Sequence, residues 1–308
     1  MVRGIAAVVA SAAVVAGTAN AAAMVRVGGS SGPSLPAFAL APADFDSGAS
    51  VERNITTSAG GLPAYVRVFR PGARLAGSRL SVVVSLVMLE QDAPSAAGDF
   101  AQVSSAAHSA AGRAALAKEF GLDFVKGLSM TAAKNALIVK KTLVGAPIEV
   151  GGSAFRLPLT MATNRGSLHM SIGFAQGDRI VSEVLLMAPA DLPVSSSAQT
   201  RALAALQHHL QVGFTITNAA APTITGTAAQ GQTLTADPGV WAGSPSSLTY
   251  AWSRCDTSAT NCSPIEGASG PSYLVAAADA GFTLRLTVSA ANSISTAQSL
   301  SAATAPVG

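Results

Sequence analysis

The spacing of apolar positions changes along this chain, and each change predicts a different kind of element. In residues 64–70 (AYVRVFR), Val66 and Val68 share one face while Arg67 and Arg70 mark solvent. Residues 80–89 (LSVVVSLVML) are almost wholly apolar and β-branched, the pattern of a strand covered on both faces. From about 95 to 120 the period lengthens. Phe100, Val103, Ala107, Ala110, Ala114 and Ala117 recur at steps of three and four, which predicts an amphipathic helix stopped by Gly121. Its alanines would let it lie close to a sheet. The two-residue period then returns. Phe155, Leu157, Leu159 and Met161 share one side of a strand, Leu168, Met170, Ile172 and Phe174 one side of the next, and residues 180–187 form a third. TNRG and AQGD join them, with Asn or Gly at hand where a turn needs a positive φ. Pro158, inside the first of these strands, predicts a sheet edge. A last helix over 197–211 turns Leu203, Leu206 and Leu210 inward behind a serine-rich cap. The order β-β-α-β-β-β-β-α, with strands joined as hairpins, predicts an α+β domain over 37–217: an antiparallel sheet with flanking helices.

Residues 218–226 (NAAAPTITG) change the texture. Pro222 interrupts, tryptophan appears for the first time, and short β-rich pieces alternate with turn residues. Strands are expected at 233–236, 248–254, 272–275, 282–290 and 296–300. Leu248, Tyr250 and Trp252 share a face, as do Phe282, Leu284, Leu286 and Val288. Several short strands separated by turns predict an all-β sandwich over 218–308.

Two domains suit a length of 308 residues. Residues 1–23 read as a signal peptide, with Arg3, an apolar stretch from Ile5 to Val15, and small-x-small sites at Ala19-Asn20-Ala21 and Ala21-Ala22-Ala23. The expected product is exported and keeps no stable transmembrane anchor after cleavage. Residues 24–36 read as a flexible lead-in. Their Gly-Gly-Ser-Ser-Gly lacks the Lys-Ser/Thr of a phosphate loop. With 49% hydrophobic and 11% charged residues the chain could be taken for a membrane protein. Beyond the N-terminus, however, no apolar run reaches the roughly 18–20 residues of a spanning helix. Net charge is +3 without a Lys/Arg cluster interleaved with aromatics, which argues against nucleic acid as a partner.

Candidate chemistry is sparse. Cys255 and Cys262, the only cysteines, flank a polar loop and would pair in an oxidising compartment. No second cysteine pair or nearby histidine completes a zinc set. A bridge across so short a loop would stabilise by about 2.5 kcal/mol. His208 and His209 point about 100° apart on a helix and read as surface residues. His169 falls on the polar side of its strand, and His108 has no histidine at metal-ligand spacing. Asp44 with Asp46, and Glu90 with Asp92, lie by loops but lack the further oxygens that calcium takes. Ser153 precedes a strand instead of following one, so GGSAF is a turn and not a nucleophile elbow. Lys140 and Lys141 read as an exposed strand edge. No catalytic, cofactor-binding or metal-ligating residue is assigned, and no enzyme is expected.

The C-terminal region resembles the Ig-like repeat of secreted and surface proteins of bacteria, over about 85 residues (roughly a quarter of the chain). The matching elements are Gly231-Gln232-Thr233-Leu234, Pro238-Gly239-Val240-Trp241, Tyr250-x-Trp252-x-Arg254-Cys255, Ile265-x-Gly267-Ala268 and Asp279-x-Gly281. The resemblance implies that Trp252 is the core tryptophan, with Tyr250 on the same face. It also implies that Asp279 and Gly281 shape the corner into the penultimate strand, and that the Cys255–Cys262 bridge pins a local hairpin. In element order, the first domain resembles the PsbP/Mog1-like group of exported lipoprotein domains, although this chain lacks their lipid-attachment cysteine. These features lead to the expectation of a secreted or cell-surface interaction protein with an Ig-like spacer, its partner a protein or cell-envelope component. The alternative expectation is a carrier of an apolar small molecule or lipid between the sheet and the Ala-rich helix.

Overall fold

The computed structural model describes residues 33–59, 61–127, 138–189 and 192–308. The expected signal peptide and most of the lead-in lie outside them. The chain divides into two compact units, Ser34–Gln211 and Val212–Gly308.

The first unit is built on one antiparallel sheet. Its strands are β1 (Val51–Ala59), β2 (Leu62–Phe69), β5 (Val82–Leu89), β6 (Val139–Val144), β7 (Ile148–Glu149), β8 (Ala154–Thr163), β9 (Gly166–Gly177) and β10 (Ile180–Met187). The minor pair β3 (Arg74–Leu75) and β4 (Ser78–Arg79) forms a separate hairpin. The order across the sheet is β1-β2-β5-β10-β9-β8-β6, with β7 also on β8. Helices α1 (Ala93–His108) and α2 (Ala110–Gly127) cover one face. Helix α3 (Ser196–Phe214) and the segment around Phe38 and Leu40 cover the other. The first face packs Val66, Leu86, Phe155, Leu157, Ile172 and Phe174 against Ala96, Val103, Ala107 and Leu116. The antiparallel α+β architecture is therefore as the alternation predicts.

Strand β9 shows how sequence sets the layer spacing. Met170, Ile172 and Phe174 face α1, while Ser171, Gly173, Ala175 and Gly177 face α3. A Cβ on Gly173 would come within 2.8 Å of Leu203, and one on Gly177 within 3.3 Å of Leu210. The small residues that admit a close helix are therefore on the strand. The positive φ of the following turn falls on Asp178, not on Gly177.

Several expectations need correction. The single helix over 95–120 is two helices that meet at Ser109, whose extended backbone ends α1. The Ser109 hydroxyl accepts the Gly112 N–H at 2.9 Å. A Cβ on Gly112 would stand 2.1 Å from the Ala106 carbonyl oxygen, so the kink requires glycine there. Gly121 does not stop α2, which runs to Gly127. Pro158 is not on an edge strand, since β8 pairs on both sides. Its carbonyl accepts the Gly145 N–H, so its missing donor faces the break between β6 and β7, where the ladder is interrupted. Arg67 does not mark solvent. Its guanidinium donates to the Leu40 carbonyl at 2.8 Å and to Asn54 and Tyr65. At the end of the expected lead-in, residues Leu35–Phe38 already form a 3-10 turn that buries Phe38. Strand β1 has no counterpart in the expected pattern, because VERNITTSA offers only Val51 and Ile55 as large apolar residues and sits at the sheet edge.

The second unit is all β. It contains β11 (Thr217–Ala220), β12 (Thr223–Thr225), β13 (Thr233–Asp237), β14 (Val240–Ala242), β15 (Ser247–Cys255), β16 (Cys262–Pro264), β17 (Ser272–Leu274), β18 (Thr283–Ala291) and β19 (Thr296–Leu300). They form a three-stranded sheet β12-β13-β17, a four-stranded sheet β16-β15-β18-β19 and the pair β11-β14. Leu234 and Val275, at the ends of β13 and β17, pack with Trp252, Leu284, Leu286 and Val288 of the larger sheet.

Candidate functional site

Among the described residues of the first unit, three further polar groupings stand within largely apolar packing. The first lines a recess between α1 and the sheet. Leu62, Met88, Phe100, Val103, Phe174 and Val181 form its apolar walls, with the carboxylates of Glu90, Asp99 and Glu183 among them. Glu90 and Glu183 are both buried. The internal volume is about 10 Å³, room for about one water. Asp92 is not part of this wall. It caps α1 by accepting the Ser95 N–H at 2.8 Å, and that pairing with Ser95 holds its carboxyl below the usual range. Glu90 and Asp92 therefore do not act as a pair.

The second grouping joins α3 to the segment before β1. His209 Nδ1 lies 3.0 Å from the Ala39 carbonyl and Nε2 lies 3.2 Å from Asp44 Oδ1. Both ring nitrogens face acceptors, which suits the doubly protonated ring. Asp44 raises the pKa of His209 against the opposing effect of burial. Burial pushes the Asp44 carboxyl up, but His209 and the Ala41 N–H more than reverse this and hold it low. Asp46 turns elsewhere, to Arg201 at 2.7 Å and the Gly77 N–H at 2.9 Å. The two aspartates therefore do not converge, and His209 is not a free surface residue. The period of α3 held the signal, because position 209 lies three residues from Leu206 on the inward side.

The third grouping lies beneath the start of α3. Arg156 is 6% exposed on the face of β8 that α3 covers. Its Nη1 donates to the Gln199 side-chain amide oxygen Oε1 and its Nη2 lies 3.3 Å from the Ser196 hydroxyl. Gln199 also accepts from Ser171 at 2.8 Å and donates to the Val194 carbonyl at 2.6 Å. Among the described residues, Arg156 Nε has no hydrogen-bond partner. Burial lowers the guanidinium's pKa. The sequence hid this residue on a strand face that reads as solvent-facing.

The remaining candidates are structural. His108 hydrogen-bonds to the Ser104 carbonyl and lies 3.3 Å from Glu149. His169 meets the Thr160 hydroxyl at 3.3 Å. Ser153 lies in a turn after Gly151 and Gly152, both at positive φ. Lys140 and Lys141 are both exposed on β6, where a register shift lies between Val139 and Lys141. Among the described residues, no three His, Cys, Asp or Glu side chains are grouped to hold a metal, and no helix is long and apolar enough to cross a membrane.

In the second unit, Trp252 is 1% exposed, stacks on Tyr273 and donates from Nε1 to the Gly270 carbonyl at 3.0 Å. Tyr250 packs at the margin of the same cluster. Asp279 is fully buried. Its carboxylate accepts from Arg254 Nε at 2.7 Å, the Tyr273 hydroxyl at 2.7 Å and the Ala276 N–H at 2.8 Å. Burial alone would raise its pKa, but these donors hold it low. Gly281 follows at φ +79° and leads into β18. Cys255 and Cys262 face each other across the β15–β16 ladder and are bonded, S–S 2.04 Å. The polar loop between them is held by more than the bridge. Asp256 accepts from the Ser258 hydroxyl, the Thr260 N–H and the Asn261 amide, which keeps its carboxyl far below the usual range.

Compared with protein-family models and with the curated proteins, the chain matches none.

Proposed function

We propose that the chain is an exported, non-enzymatic interaction protein whose second unit is an Ig-like module and whose first unit offers the distinctive contact surface. The observation that carries this reading is the partition of strands in the second unit. Leaving aside the pair β11-β14, the first, second and fifth strands make one sheet, and the fourth, third, sixth and seventh make the other. This is close to the Ig arrangement, with the core tryptophan on the third strand. The Cys255–Cys262 bond supports an oxidising compartment. On the first unit, Ile138 at 57% and Leu143 at 52% exposure are large apolar residues that a partner could cover. The test is a pull-down of envelope and surface proteins with the full chain, alongside N-terminal sequencing of secreted material. Specific recovery of a partner and cleavage among residues 21–24 are expected. Recovery at background, or retention in the cytosol, would overturn the reading.

A second reading, a carrier of an apolar small molecule, draws on the apolar walls of the recess under α1. At about 10 Å³ that recess would have to widen to hold a lipid. Native mass spectrometry of extracted protein separates the two, since only a carrier retains a small apolar mass.

A further inference from the structure

We infer that the first turn of α3, together with Arg156 beneath it, is a binding site for a small oxyanion: a phosphate, sulfate or carboxylate group. Arg156 is more than nine-tenths buried, yet forms no ion pair with any described carboxylate. Its two hydrogen-bond partners, Gln199 and Ser196, are neutral. A buried cation is ordinarily paired, because leaving water costs several kcal/mol per ion. Here the nearest large dipole makes matters worse. The guanidinium reaches Ser196, the first residue of a 19-residue helix, where the backbone already presents partial positive charge. Two positive features thus meet with no carboxylate paired to them among the described residues.

The open groups converge. Nε and the adjacent Nη2 form the lateral edge of the guanidinium, the edge that takes an oxyanion in bidentate fashion. Among the described residues, Nε is buried without a partner, and Nη2 makes only the 3.3 Å contact to Ser196. Of the first peptide N–H groups, those of Ala198 and Gln199 are taken by Ser195. The N–H groups of Ser196 and Ser197 have no acceptor among the described residues and stay available to a ligand. Both serines are exposed and offer an approach from solvent. The hydroxyl of Ser195 stands 2.6 Å from that of Ser78, which brings the β3–β4 hairpin, with Arg79 next in sequence, to the same end.

Titrating the full chain with sodium phosphate against sodium chloride at matched ionic strength tests this. NMR signals of the Ser196 and Ser197 amides and of Arg156 Nε–H are followed, with acetate in a parallel arm. Saturable shifts of all three are expected. A response to phosphate alone assigns a tetrahedral ligand, and a response to both assigns oxyanions in general. Arg156→Gln should weaken binding at least tenfold. Ser196→Asp, which places a carboxylate in the site, should fold normally and abolish the response, and so keeps the test decisive if Arg156→Gln fails to fold. Non-saturating shifts, or phosphate binding unchanged in Ser196→Asp, would overturn the proposal.

Discussion

Asp279 illustrates how a single buried carboxylate can organise a corner. It gathers the Arg254 guanidinium, the Tyr273 hydroxyl and the Ala276 N–H, and so ties β15, the end of β17 and the turn before β18 to one point. Asp279→Asn keeps the shape but removes the charge, leaving Arg254 without its counter-ion. The expected loss is about 3 kcal/mol of stability, in the range for breaking a buried pair from one side. Urea unfolding followed by tryptophan fluorescence measures it. A loss below about 0.5 kcal/mol, the surface-substitution level, would show that water replaces the pair at no cost. The resemblance to an Ig-like repeat implied a corner role for Asp279 and Gly281 but none for Tyr273, and it named Arg254 only as part of a matching element. Those partners come from other strands, and no local pattern joins them.

At the scale of elements, the two-residue and three-to-four-residue periods marked most strands and the positions of helices. What they missed has identifiable causes. The break at Ser109 sits inside an unbroken apolar stripe, so periodicity carries no trace of it. The trace is Ser109 with Gly112, a cap embedded in a helical pattern. Gly112→Ala should cost about 2 kcal/mol, as overpacking against backbone does, because the new methyl would meet the Ala106 carbonyl. Gly98→Ala, in the exposed interior of α1 with open space around it, should instead stabilise by about 0.5–1 kcal/mol. Urea midpoints by circular dichroism at 222 nm compare the two, and equal effects would refute the kink's dependence on glycine. The β15–β16 hairpin was legible from its cysteines, while the Asp256 network inside it was not. Reduction should therefore lower the second unit's stability by about 2.5 kcal/mol while Thr260 and Asn261 stay ordered on Asp256. Amide exchange with and without reductant reads both, and loss of Thr260 protection on reduction would assign the loop's order to the bridge alone.

For the whole molecule, the tryptophans and the helices fall in different places, and this makes pH an informative variable. Both tryptophans, Trp241 and Trp252, belong to the second unit, while α1, α2 and most of α3 belong to the first. Fluorescence therefore follows one unit and the 222 nm signal chiefly the other. In the second unit, Asp279 and Asp256 both have depressed pKa values, so their contributions are present above the unfolded value of about 4 and are lost as pH falls below it. In the first unit, His209 has a raised pKa, so its contribution is full below the unfolded value of about 6.5 and fades as pH rises through the folded one. Its partner Asp44 has a depressed pKa and adds an acid limb to the same unit. Below the range in which tyrosine titrates, where the raised pKa of Tyr273 would add an alkaline limb to the second unit, the expected result is a urea midpoint that, by fluorescence, falls only on the acid side and, by circular dichroism, falls on both sides of a plateau. His209→Gln should flatten the limb above about pH 6.5 in the dichroism curve and leave the fluorescence curve unchanged. Fluorescence and dichroism curves that coincide at every pH, and shift together in His209→Gln, would mean that the two units unfold as one cooperative body, and the assignment of each limb to its own carboxylate or imidazole would fail.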